Sequence, residues 1–143
     1  MANTSMLAAV GFGLVLGTAP MIAHHAFSSE FDANRPVTFP KAKVTRMDWV
    51  NPHVWIHVDV TTPNGKVENW AIECGTPNAL FRRGLTKDSL LAGTEIVVDG
   101  YQAKDGSRRA NGRQVKLPNG ETLFLGSSGT GAPPELSFPG AKK

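Results

Sequence analysis

The sequence predicts an all-β domain interrupted by one short helix. Three observations carry that reading: a two-residue alternation through Val54–Val60, an Asn-Gly turn soon after it, and a Thr-Pro start with a Gly stop around residues 76–84. Alternation marks a half-buried strand, Asn-Gly marks a tight hairpin, and a capping threonine followed by proline opens a helix.

The elements follow in order. The first 23 residues carry no charged side chain, and Met6–Leu16 (MLAAVGFGLVL) is an apolar run closed by Gly17, Pro20 and Ala23. That is the layout of a secretory signal peptide, whose apolar centre runs about 7–15 residues, and it falls short of the ~20 residues that span a bilayer. Cleavage after Ala23 makes His24 the first mature residue; Met21 at the third position before the cut, and the lack of an early Lys or Arg, depart from the usual pattern. The expected organisation is a signal peptide at 1–23, one domain at 24–125 and a disordered tail at 126–143, the last rich in Gly, Ser and Pro. The mature protein is expected to be periplasmic or secreted, with no stable membrane span.

His24–Pro40, with Pro36 and Pro40, reads as an irregular approach. Val44–Val50 reads as the first strand, with Lys43, Thr45, Met47 and Trp49 on one face and Val44, Arg46 and Asp48 on the other. Asn51-Pro52 turns the chain into His53–Thr61, where Val54, Ile56, Val58 and Val60 face the core and His53, Trp55, His57 and Asp59 face away. Pro63-Asn64-Gly65 makes the hairpin, and Val67–Cys74 returns as the third strand. Thr76–Gly84 is the helix, and Thr86–Gly93 is expected to add a second short helical turn. Thr94–Ala103, Arg113–Leu117 and Thr122–Leu125 complete the strands. Three strands, a helix, then two or three strands is the order of a small OB-like Greek-key β-barrel of five or six strands, with the helix between strands three and four. A short β-sandwich with a stray helix gives much the same pattern.

Composition removes several function classes. The net charge of +3 is small and scattered, which argues against a nucleic-acid footprint. The single cysteine, Cys74, cannot form an internal disulfide and reads as a small buried apolar residue. No Gly-x-Ser-x-Gly elbow or phosphate loop is present. Glu68 and Glu73, near Asp59 in the hairpin register, are weak ground for a hydrolase, so an enzyme ranks last.

The histidines carry more. All four fall in two clusters, His24-His25 at the expected cut and His53/His57 in NPHVWIH. Met47, Trp49 and Trp55 flank the second cluster and supply thioether and aromatic groups suited to copper or to an organic ligand. His53 and His57 stand about 13 Å apart along a strand at ~3.3 Å per residue, so one metal ion takes one of them and finds partners elsewhere. A free amine and imidazole at His24, plus a third nitrogen from His53 or His57, make the tetragonal set that Cu(II) favours. His25 can serve instead through its backbone nitrogen or stand behind the ligands. The expectation is a small exported copper-binding carrier or accessory factor; the alternative is a module that presents Trp49, Trp55 and Trp70 to a small organic ligand or a periplasmic partner protein.

The stretches AHHAFSSEFDANRPV, WVNPHVWIHVDV, GTPNALFRRGLTKDSL and GYQAKDGSRRANGRQVKLPNGETLF together resemble a family of small exported bacterial proteins classed as a domain of unknown function. The resemblance spans essentially the whole mature chain and implies export and an OB-like fold, with no activity attached. A weaker similarity is to the small periplasmic copper chaperone of the Cus efflux system, an OB-type barrel holding Cu(I) with methionine, histidine and a tryptophan face. Met47, Trp49 and His53 are a comparable set, with one methionine where that chaperone has two.

Overall fold

The computed structural model describes residues 27–126. The leader, His24, His25 and the tail beyond Gly126 lie outside the described residues. A helical turn at 27–30 leads into β1 (Phe31–Asp48), β2 (Trp55–Thr61) and β3 (Val67–Glu73), then helix α1 (Pro77–Arg82), β4 (Glu95–Ala103), β5 (Arg109–Lys116) and β6 (Thr122–Phe124). The chain is therefore mostly β with short helical pieces, as the alternation predicts.

β1 pairs antiparallel with both β2 and β4, β2 with β3, and β4 with β5. β3 and β5 run parallel and pair through Ala71–Arg109, Ile72–Ala110 and Glu73–Asn111, so the pairings run in a circuit, with β6 added on β5. The β4–β5 and β3–β5 contacts each need a close approach. A Cβ on Gly100 would stand 2.2 Å from the Asn111 carbonyl oxygen, and one on Gly112 would stand 2.7 Å from Ile72 Cγ2. Only glycine admits backbone that near.

The first strand differs from expectation, beginning at Phe31 rather than Val44. Its Phe31–Phe39 half pairs with β4 alone, and β2 joins only from Ala42 onward. Pro36 and Pro40 thus lie where one side of the strand has no partner, which is where a residue without an N–H is tolerated. A register shift between Val44 and Arg46 then marks a bulge at Thr45, whose hydroxyl donates to the His57 carbonyl at 3.1 Å. One extra residue reverses the face of everything after it. Arg46 is consequently exposed, while Met47 and Trp49 pack against the core, not on the outward face the unbroken alternation assigned them.

β2 follows its alternation: Val54, Ile56 and Val58 are fully buried. The hairpin closes through Gly65 at φ +80°, and Gly65 N–H donates to Thr62 O at 2.8 Å. α1 is capped by Thr76, whose hydroxyl accepts from Ala79 N–H at 3.2 Å, and it buries Leu80 in the core. Residues 86–93 form no helix. There Ser89 Oγ accepts from Thr86 N–H at 2.8 Å, a side-chain bond that competes with helix nucleation in so short a segment. β5 starts at Arg109 instead of Arg113, because Ala110-Asn111-Gly112 lacks β-branched residues and is held by its neighbours.

Cys74 is buried, and that burial pushes its thiol well above the ordinary range. It behaves as the small apolar residue expected. Asp99, also buried, accepts from Gln114 N–H at 3.0 Å beside the β4–β5 bulge, and burial pushes its pKa up to about 6. A second, smaller apolar cluster joins Phe27 and Phe31 to Tyr101 and Ala103.

Candidate functional site

The two described histidines flank the start of β2, yet they meet different partners. The β2–β3 ladder continues past the strand end: Val54 N–H donates to Gly75 O at 3.1 Å, and Cys74 N–H donates to Val54 O at 2.8 Å. This holds His53 beside Glu73, and His53 Nδ1 pairs with Glu73 Oε1. The His53 side chain is 36% exposed and the Glu73 side chain only 11%. A carboxylate on Nδ1 fixes the tautomer and leaves Nε2 as the free lone pair, the arrangement found behind metal-binding histidines.

His57 is held at its other ring nitrogen, and its side chain is only 14% exposed. Its Nε2 lies 2.9 Å from Asp48 Oδ2 and 3.0 Å from Arg46 Nη2, so it is engaged whether it donates to the carboxylate or accepts from the guanidinium. Arg46 Nε also donates to Asp48 Oδ1 at 3.1 Å, and the Arg46 hydrogen bond holds the Asp48 carboxyl below its ordinary pKa, with His57 adding to the effect. Glu73 moves the other way. Burial raises it and the nearby Glu30 adds repulsion, against the pull of His53 and Arg109.

Register places Glu73 in a row that crosses four strands. Trp55 opposes Glu73, Glu73 opposes Asn111, and Asn111 opposes Tyr101. Directly opposed residues share a face. Asn111 is 6% exposed, and its Oδ1 is buried with no hydrogen-bond partner among the described residues. At the far end Phe27 meets Tyr101 edge-on, with ring centroids 5.7 Å apart. Among the described residues no group of three or more His, Cys, Asp or Glu side chains could hold a metal ion.

A family model matches residues 13–113, most of the chain and all of the row from Trp55 to Asn111. The chain belongs to DUF6152, a family of unknown function. No curated protein and no solved structure matches it.

Within this DUF6152 chain the candidate residues separate. His53, Trp55 and His57 lie on the outward side of β2 and its approach, as the alternation predicts, whereas Met47 and Trp49 turn to the core. Trp70 is buried, its ring 4.8 Å from that of Phe39, so Trp55 is the tryptophan left in the outward row. His24 and His25 fall outside the described residues. The carboxylates expected together are spread out: Asp59 faces Asn69, Glu68 takes Arg108 at 3.2 Å, and Glu73 opposes Trp55. The place of Asn111 is not legible in the sequence, because it depends on the parallel β3–β5 contact. Glu73 was within reach: counting the hairpin register back from Asn64-Gly65 sets it opposite Trp55. Farther along the outward face, a cleft of about 430 Å³ is lined by Lys41, Lys43, Asp59, Thr61, Val67 and Glu95.

Proposed function

We propose that this chain is an exported, OB-like β-barrel protein that binds copper and acts as a carrier or accessory factor in the periplasm. The observation that carries the reading is the His53–Glu73 pair, which engages Nδ1 of a partly exposed imidazole and so leaves the ligand role to Nε2. The circuit of pairings, the parallel β3–β5 contact and the helix between β3 and β4 support the barrel. Export rests on the uncharged apolar leader and the small residue that closes it.

His53 supplies one nitrogen, so the remaining donors come from outside the described fold. His24, as the first mature residue, offers its amine and imidazole as a chelating pair, and three nitrogens suit tetragonal Cu(II). The amine loses its proton readily, since its reference pKa is about 7.7–8.0. His25 serves as a neighbouring donor through its backbone nitrogen. His57 stays with Asp48 and Arg46 in this scheme. A second reading, a non-metal module for a small organic ligand, is favoured by Trp55 and the mixed-charge cleft on the outward face.

Titrating Cu(II) into protein that begins at His24, and into protein with one residue added before it, tests the copper reading. Tight one-to-one binding with a nitrogen-rich electron paramagnetic resonance spectrum is expected, strongly weakened by the added residue. Equal binding by both forms removes the amine from the ligand set. No stoichiometric binding by either form removes copper, and intact mass of the exported protein checks the cut itself.

A further inference from the structure

The mixed-charge cleft of about 430 Å³ on the outward face is built from four adjacent strands. Lys41 and Lys43 come from β1, Asp59 and Thr61 from β2, Val67 from β3 and Glu95 from β4. Buried Ala42 and Val44 alternate with the two exposed lysines, so both lysines point outward. Register then sets the charges. Lys43 stands opposite Asp59 on one side and Glu95 on the other. One step from the Ala42–Val60 pair, Lys41 faces Thr61, and Thr61 in turn faces Val67. Among the described residues neither lysine closes an ion pair, although two carboxylates lie across the ladder from Lys43. Asp59 is held instead by Asn69, whose Nδ2 donates to its Oδ1 at 3.1 Å.

Glu95 offsets Lys43, which leaves Lys41 and Asp59 as an opposite pair. They lie in rows two residues apart, about 6.6 Å along the strands at ~3.3 Å per residue. Val67, 57% exposed, borders the Lys41 end. A free amino acid carries its two charges too close together to bridge those rows, whereas two extended residues span about 7 Å.

We propose that this cleft binds a short zwitterionic peptide, a dipeptide with an aliphatic C-terminal residue. Its carboxylate meets Lys41 and the Thr61 hydroxyl, its ammonium meets Asp59, and its last side chain lies on Val67. The site rests on the small-ligand reading, whose ligand class it names, and owes nothing to copper.

The test titrates glycyl-valine into ¹⁵N-labelled protein beginning at His24. Amide shifts are expected at residues 41–43, 59–61, 67 and 95. Valine, N-acetyl-glycyl-valine and glycyl-valine amide should each bind about threefold or more weakly. Lys41→Gln and Asp59→Asn should weaken the dipeptide by a similar factor, because exposed ion pairs are individually weak. Equal binding of the blocked dipeptides, affinity unchanged in both variants, or no shifts at the cleft each overturn the site. Indole, an uncharged aromatic probe, keeps the wider reading separate. Shifts at Trp55 with indole and none at the cleft with the dipeptide end the site and leave the small-ligand reading standing.

Discussion

His53 and His57 are four residues apart, and the fold treats them in opposite ways. His57 belongs to an open charge network in which its Nε2 meets both Asp48 and Arg46, whose side chains are 39% and 63% exposed. His53 meets the largely buried Glu73 at Nδ1. The first holds the imidazole at Nε2 with its side chain 14% exposed, and the second holds it at Nδ1 with its side chain 36% exposed. The two carboxylates record the same difference, Asp48 held below its ordinary pKa by Arg46 and Glu73 raised by burial. A well-solvated ion network adds little stability and little chemistry, whereas a buried carboxylate behind an exposed imidazole costs desolvation and readies a ligand.

The widest separation between the regions is expected in copper affinity. His53→Ala should lose roughly a hundredfold or more, beyond the 10–100-fold that removal of a supporting partner costs, while His57→Ala stays within about threefold. Competition titration with Cu(II) checks both. Next comes Glu73→Gln, expected to lower copper affinity about tenfold or more while leaving stability at pH 7 undiminished, because a desolvated charge is removed. A large drop in its denaturation midpoint would mean that the pair is structural.

Acid denaturation sharpens the contrast once Asp99 is taken into account. Its folded pKa, about 6, lies above the unfolded value of 3.8, so its burden is absent below the unfolded value and grows as pH rises to about 6. Asp99→Asn should therefore flatten stability between about pH 4 and 6 and remove a cost on the order of 3 kcal/mol at pH 7. Asp48 has the opposite sign: its contribution is full above the ordinary aspartate range and is lost as pH falls through its lowered folded value. Being exposed, it is worth less than about 1 kcal/mol, so Asp48→Asn should make the smallest change, one that fades in salt and leaves copper binding alone.

Local signals carried much of the fold. The β2 alternation, the Gly65 turn and the Thr76 cap each need only neighbouring residues, and each stands as expected. What escaped depends on distant partners. β1 tolerates Pro36 and Pro40 because of which strands flank it, and the Thr45 bulge, which turns Met47 and Trp49 inward, leaves no trace in residue type. The candidate site divides in the same way. The outward placement of His53 and His57 follows from alternation, but the choice between them follows from Glu73 on one strand and Asp48 with Arg46 on another.

The most direct measurement adds substoichiometric Cu(II) to protein beginning at His24 and follows both imidazoles by long-range ¹H–¹⁵N correlation spectra. In the metal-free state His53 is expected as the Nδ1–H tautomer. Paramagnetic loss should then remove the His53 signals first, with those of His57 persisting to one equivalent. Signals of His57 vanishing before those of His53, or both persisting unchanged, would contradict the account.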